Sequence, residues 1–237
     1  MFYNLLICNF IVLSNRSKPN ALFVETPSAT FPSISVSATD NQHIQTQLGY
    51  IPANLVSVSA RSSVGKPIAL KTYALNGGAD RRKAKALNEF TPFPTLYWLC
   101  CPNIGNAIAN LEGQGYIGLL EERLLSDLDL AKGFIQCHKG YAEERWSSLS
   151  ADHQNWVSQH PSAKIERYVR YSGIAGTNYN DFLLSNGDID KISIKCLHTH
   201  YAHYRSQLEN NDCDYPLNII GQWTHELLQK DDIKFIL

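Results

Sequence analysis

Residues 195–204, KCLHTHYAHY, place one thiol and three imidazoles within eight positions: Cys196, His198, His200 and His203. Thiolate and imidazole are ligands that zinc prefers, and iron accepts them as well. A thiol beside an imidazole is also the arrangement of a cysteine nucleophile. The segment therefore indicates a metal centre or a thiol-dependent reaction. The alternative is a helix whose cysteine and histidines only serve its packing.

The apolar spacing predicts that this segment is a helix over residues 193–208. Its buried stripe recurs at i, i+4, i+7 and i+11 and consists of Leu197, Tyr201, Tyr204 and Leu208. Cys196, His200 and His203 fall on the neighbouring stripe, one to each turn, so that they could share one ion. His198 points to the opposite side unless the helix begins after it.

The elements that must position this helix begin with strands. Two segments typical of strands lie on either side of the turn-prone SSVGKP. Apolar and polar side chains alternate over residues 54–60, and residues 66–75 are mostly apolar, so the two segments predict a hairpin. Residues 92–102, rich in aromatic residues and bounded by prolines, predict a third strand.

Helical periodicity follows the strands. Ile104, Ile108 and Leu111 predict a helix that stops near Gly113, and a longer helix is expected to start at a cap on Asp127. One face of the longer helix carries Leu130, Phe134, His138, Tyr141 and Arg145, and the charged run 143–145 is expected to be solvated. Residues 147–190 are expected to be rich in loops. This order predicts an α+β fold, with a short antiparallel sheet packed on a helical C-terminal half.

The composition is that of one globular domain. The 237 residues are 44% hydrophobic and 18% charged, and 21 basic against 22 acidic residues leave a formal charge of −1. Because no basic run follows a predicted helix, we expect no nucleic-acid partner. A protein partner is compatible with this composition but is not identified by it. The six cysteines are scattered, which favours reduced thiols.

The N-terminus has the composition of a targeting segment. Residues 1–14 are apolar and uncharged, and residues 15–42 are rich in Ser, Thr and Pro with two acidic residues. A signal followed by a transit segment predicts import into a plastid, with a mitochondrion or another organelle as alternatives. We expect residues 1–45 to be cleaved or disordered, residues 46–237 to form a single domain, and the mature form to have no stable membrane span.

Five motifs in order resemble a known family. FTPFPTLYWLCCP (90–102), NLEGQG (110–115), HKGYAEER (138–145), KCLHTHYAHY and LNIIGQW (217–223) resemble the uncharacterised bacterial and plastid-lineage family catalogued as domain of unknown function number 501. The resemblance covers about residues 48–228 and implies no activity. The matching positions are Pro94, Thr95, Leu96, Tyr97, Cys101, Pro102, Leu111, Glu112, His138, Tyr141, Arg145, Lys195, Cys196, Leu197, His198, His203, Asn218 and Gly221.

The chain also departs from the family pattern. Many bacterial members carry Cys-x-Cys-Gly where this chain has Ser62 and Val64 at the cysteine positions, so a metal site that depends on that pair is absent.

The leading hypothesis is a metal-binding protein with zinc or iron at a Cys/His site. Its candidate ligands are Cys101, His138, Cys196, His198, His200 and His203. Other motif residues, with no role fixed by the resemblance, are Tyr97, Glu112, Tyr141, Arg145, Lys195 and Asn218. The alternatives are a non-catalytic scaffold or assembly factor with a structural Cys/His core and, less favoured, a thiol-dependent enzyme.

Overall fold

The computed structural model describes residues 35–76, 90–159, 163–210 and 213–230. The apolar lead at residues 1–14 and most of the expected transit segment lie outside the described residues. Three strands are present in the described parts: β1 (Leu55–Arg61), β2 (Pro67–Thr72) and β3 (Tyr97–Leu99). The α-helices there are α1 (Ala38–Leu48), α2 (Pro102–Gly113), α3 (Tyr116–Leu125), α4 (Leu128–Ser147), α5 (Ala151–Gln159), α6 (Ala163–Glu166), α7 (Leu197–Glu209) and α8 (Ile219–Lys230).

The strands form one antiparallel sheet in the order β1-β2-β3. The hairpin of β1 and β2 confirms the prediction from alternation. The third strand is shorter than the 92–102 run because the prolines at its start have no N–H to donate to a ladder. Lys71 of β2 is directly opposite Tyr97 of β3, so the two side chains emerge on the same face. With helices making up most of the chain after β3, the predicted α+β class is confirmed.

The two faces of the sheet pack on different helices. Leu70 of β2 packs in a cluster with Ile44 of α1, whereas its neighbour Ala69 packs with Tyr141 of α4 and Ala202 of α7. Successive residues of a strand point to opposite faces. The sheet therefore lies between α1 on one side and α4 and α7 on the other.

Helix α1 belongs to the folded domain, although most of it falls within the expected extension at residues 1–45. Its cap is local: the amide of Asp40 donates to the Ser37 hydroxyl oxygen at 3.0 Å. Asp40 also pairs with Arg61 of β1 at 2.7 Å, and Ile44 is fully buried. Because the amide of Ser35 donates to a β1 carbonyl, the ordered domain includes residues 35–45, and the boundary at 45 cuts through α1.

The long helix α4 is capped by Asp127, as predicted, through hydrogen bonds from the amides of Asp129 and Leu130. Its charged end is not solvated as expected, because Arg145 is fully buried. The guanidinium of Arg145 donates to the carbonyl oxygens of Pro94, Val169 and Ser172. These bonds fix the loop before β3 and the irregular segment after α6, where the structure has only single turns at Arg167–Tyr171, Ile174–Gly176 and Tyr179–Phe182.

None of the helices in the described parts of the chain is long and apolar enough to cross a membrane.

Candidate functional site

Helix α7 begins at Leu197, and Cys196 is its N-cap residue with extended backbone angles, φ −164° and ψ 117°. Leu197 and Tyr201 are fully buried and Tyr204 is nearly so, which confirms the predicted core stripe over these three residues. The prediction for Leu208 is wrong: its side chain is 47% exposed, in the last turn of α7. Helical spacing does not apply to a cap residue. Cys196 is therefore not on the stripe of His200 and His203, contrary to the prediction, and its side chain contacts other residues.

Cys196 instead meets His198 and Glu112. The Cys196 Sγ is 3.7 Å from His198 Nδ1, and that nitrogen is 3.2 Å from Glu112 Oε1. Glu112 is near the end of α2 and also accepts a hydrogen bond from the amide of Leu197 at 2.7 Å. Within the described ranges, no other group of three His, Cys, Asp or Glu residues has all its ligand atoms within 4.8 Å of one another.

The tautomer of His198 is fixed by the far side of its ring. Its Nε2 is 3.0 Å from the carbonyl oxygen of Gly105, and a carbonyl only accepts, so Nε2 carries the hydrogen. Nδ1 faces Cys196 and Glu112, and because the pKa of the ring is raised, this nitrogen offers a lone pair near pH 7 only when a metal ion takes the place of its proton. A backbone carbonyl orients many metal-binding histidines in the same way. Hydrogen bonding to the Cys196 sulfur raises the pKa of His198 to about 9, in spite of the partial burial of its ring.

The Cys196 thiol differs from the buried thiols nearby. Burial raises its pKa and is the largest single effect, but the hydrogen bond to His198 and the contacts with Thr199 together outweigh burial, so the net pKa lies below the ordinary value. The backbone and side chain of Thr199 act in the same direction, through contacts that fall short of a capping hydrogen bond. By contrast, burial raises the pKa of Cys100 to about 12 and raises that of Cys137. Cys196 is therefore the better source of a thiolate.

Cys101 lies in a different place. It is the N-cap residue of α2 and lines a cleft of about 390 Å³, together with His43, Ser62 and Val64. Ser62 and Val64 are the positions at which the sequence departs from the cysteine pair of the family it resembles. Cys101 does not belong to the group formed by Cys196, His198 and Glu112.

The other three candidate histidines are in the protein core. His138, His200 and His203 are fully buried, and burial lowers the pKa of all three, to about 4 for His200 and about 3 for His203. They are therefore neutral near pH 7. His203 uses both ring nitrogens in hydrogen bonds, at 3.0 Å to Asn218 and 3.0 Å to Tyr215. The structure thus separates the six candidate ligands into three places.

Three of the remaining motif residues make hydrogen bonds in this core or at its edge. The Tyr141 hydroxyl accepts the amide of Leu96 at 2.6 Å, and Lys195 Nζ donates to the carbonyl of Gly176 at 2.8 Å. Tyr97 donates to Glu144 at 2.5 Å.

Glu144 is a residue that sequence reasoning missed. Its carboxylate also accepts from Lys71 at 2.9 Å and from Tyr215 at 2.7 Å, at a cleft of about 470 Å³. Its position in HKGYAEER is the only sequence signal that could have found it.

Comparison with known families agrees with the motif order. The model for the protein of unknown function (DUF501) matches residues 58–226. The chain belongs to the DUF501 family. No curated protein and no solved structure matches it. All three residues of the Glu112, Cys196 and His198 group lie inside the matched part of the DUF501 protein, so the group is built from family sequence rather than from an appended segment.

Proposed function

We propose that this DUF501 protein binds one divalent metal ion of the zinc type through Glu112, Cys196 and His198. The distances within the group carry the proposal. Ligand atoms around a tetrahedral zinc ion are about 3.3 to 3.6 Å apart, given the usual zinc–ligand bond lengths. The two distances to His198 Nδ1, 3.7 Å from the sulfur and 3.2 Å from the carboxylate oxygen, are close to these edges.

The surroundings of the group also suit an ion. Gly105 holds the ring of His198 and Leu197 holds the carboxylate of Glu112, so that two ligands are oriented by backbone groups. The side chains of His198 and Glu112 remain 30% and 25% exposed. Three protein ligands leave a fourth position for water or a substrate, which is the arrangement of catalytic zinc sites rather than structural ones.

Metal analysis of purified full-length protein tests the proposal. We expect about one ion per chain, lost in Cys196→Ser, His198→Ala and Glu112→Gln, with a lower melting temperature in each because binding energy also stabilises the fold. Cys213→Ser and Cys101→Ser are matched controls that remove a thiol elsewhere and should keep the ion. Wild-type protein loaded with zinc, dialysed and found empty would refute the site.

A thiol-dependent reaction is the second candidate, because the Cys196 sulfur has a lowered pKa beside an imidazole. Alkylation by iodoacetamide separates the two candidates. If an ion covers the sulfur, a chelator should speed alkylation of Cys196 many-fold. If no ion is bound, Cys196 should react faster than Cys213 with or without chelator, and His198→Ala should slow it. A slow thiol in a metal-free protein would leave the scaffold role.

The plastid location belongs to the same proposal, and its support is the composition of residues 1–34. The segment that would be removed ends before Ser35, because Ser35 pairs with β1. A fluorescent fusion of the full chain should enter the organelle, and a fusion of residues 35–237 should stay in the cytosol. Equal distribution of the two fusions would argue against a targeting role.

A further inference from the structure

We infer that one water molecule is bound in the core between His138 and His200, and that it completes a hydrogen-bond chain running through Asn218, His203 and Tyr215 to the carboxylate of Glu144. The site is separate from the Glu112, Cys196 and His198 group and does not depend on the metal proposal.

The direction of the chain is set by a backbone amide. The amide of Gly221 donates to Asn218 Oδ1 at 3.1 Å, so the oxygen and nitrogen of the Asn218 side chain are distinguished. Asn218 Nδ2 then donates to His203 Nδ1, and His203 Nε2 donates to the Tyr215 oxygen. Tyr215 in turn donates to Glu144. Each donor in this series points toward the carboxylate.

The bond from the Gly221 amide to Asn218 also determines which nitrogen of His200 carries the hydrogen. Asn218 Oδ1 can only accept, so His200 Nδ1, 3.1 Å away, must carry the hydrogen. Because the ring is fully buried and its hydrogen-bond partner is an uncharged amide, it is neutral, and its Nε2 has a lone pair and no hydrogen. His200 Nε2 is buried and has no partner among the described residues. It is therefore a buried acceptor without a donor.

His138 has the opposite tautomer, with its hydrogen on Nε2. The amide of Ile174 donates to His138 Nδ1 at 3.0 Å, which leaves the hydrogen of the neutral ring on Nε2. That nitrogen is also buried without a partner in the described parts of the chain. Gly173 lies so close to this ring that a Cβ there would be 2.2 Å from His138 Nδ1. His138 Nε2 is therefore a buried donor without an acceptor.

The rings of His138 and His200 are farther apart than a direct hydrogen bond of ordinary length would place them. Their centroids are 5.7 Å apart and the ring planes make an angle of 85°. A direct bond of about 3 Å between the two nitrogens would hold the centroids at no more than about 5.3 Å. One water can join nitrogens up to about 5.8 Å apart, accepting from His138 and donating to His200.

An ion does not suit the same place. His138 offers a hydrogen rather than a lone pair at Nε2, and its Nδ1 is already an acceptor for Ile174. Phe134 and Phe182 pack on the His138 ring at centroid distances of 4.4 and 6.1 Å, and neither side chain offers a ligand atom to an ion. A neutral guest with both a donor and an acceptor is what the two nitrogens can bind.

Nuclear magnetic resonance of ¹⁵N-labelled full-length protein tests the inference near neutral pH. We expect the Nε2–H tautomer for His138 and the Nδ1–H tautomer for His200. We also expect a nuclear Overhauser effect from a long-lived water to His138 Nε2–H. His203 is the control within the same molecule, because both its nitrogens have protein partners and its Nε2–H should show no such effect.

Three results would overturn the inference. One is an Nε2–H tautomer at His200, which would reverse the chain. Another is a scalar coupling between the two Nε2 nitrogens, which would show a direct bond. The last is an ion that survives Glu112→Gln and is lost in His200→Phe. A high-resolution crystal structure of the wild type supplies an independent reading that needs no variant: a peak within hydrogen-bond distance of both nitrogens supports the water, and continuous protein contact refutes it.

Discussion

Acid should unfold this protein in a pH range set by the buried histidines. His138, His200 and His203 are neutral in the fold because burial lowers the pKa of each, while in the unfolded chain a histidine has a pKa of about 6.5. A group whose folded pKa is lowered contributes its full stability above the unfolded pKa. That stability is lost as the pH falls from about 6.5 toward the folded values.

The size of the loss follows from these values. At about pH 5 the unfolded state holds a proton on both His200 and His203, and the folded state holds almost none. Each of these two histidines then costs about 2 kcal/mol, or about 4 kcal/mol together, which is a large part of the stability of an ordinary domain. Between about pH 6 and pH 5 the two together should give a slope of about 2.7 kcal/mol per pH unit, and the lowered pKa of His138 adds to the slope in the same direction. The lowered pKa values of Asp40 and Glu144 act in the same direction at lower pH.

Urea unfolding followed by circular dichroism at several pH values measures this slope. His200→Gln removes one of the groups that take up a proton on unfolding. It should therefore lower the slope of the unfolding free energy against pH by about 1.4 kcal/mol per pH unit, whatever its effect on total stability. Ile220→Val is the matched control: it truncates a buried side chain of α8 and should lower stability by about 1 kcal/mol with the slope unchanged. A stability that stays flat between about pH 6 and pH 5 would refute the assignment of neutral buried histidines.

Two further predictions concern close packing in α4. Gly140→Ala should destabilise the protein by about 1 to 3 kcal/mol in thermal melts, because a Cβ at this position would be 2.2 Å from the ring of Tyr215. Gly133→Ala is the matched control: a Cβ there has nothing within 4 Å, so the substitution should stabilise the helix by up to about 1 kcal/mol in the same melts. Equal effects would contradict the packing of Tyr215. Arg145→Met should cost about 3 to 5 kcal/mol, since three carbonyl oxygens lose their donor; a loss under about 1 kcal/mol in denaturant titrations would show that water replaces it.

Local patterns in the sequence were enough to predict most of the framework. Alternation predicts the hairpin, Asp127 predicts the start of α4, and Gly113 marks the end of α2. Each signal is contained within a few residues of the element that it specifies. The start of α1 has such a signal too, in the Ser37 and Asp40 spacing of a capping box, but the composition of the segment around it suggested a transit peptide.

The grouping of the candidate ligands could not be predicted in the same way. A helical wheel assumes that the helix continues through each residue, and Cys196 is one position outside α7, so its side chain leaves the predicted stripe. The partners of His138 and His198 are also distant in sequence: Ile174 is 36 residues from the first, and Glu112 is 86 residues from the second. Only the packing of α2 on α7, and of α4 on the turn Ile174–Gly176, brings these atoms together.

The bond from the Leu197 amide to Glu112 has a consequence for the order of folding. Helix α7 has no capping hydrogen bond from its own N-cap residue, and the carboxylate that accepts its first amide is 85 residues earlier in the chain. Closing such a loop costs entropy that local structure does not recover. The first turn of α7 should therefore form after α2 has docked, and an isolated peptide of this helix should fray at the end that carries Cys196 and His198. The chain completes its candidate metal ligands in one of the later steps of folding.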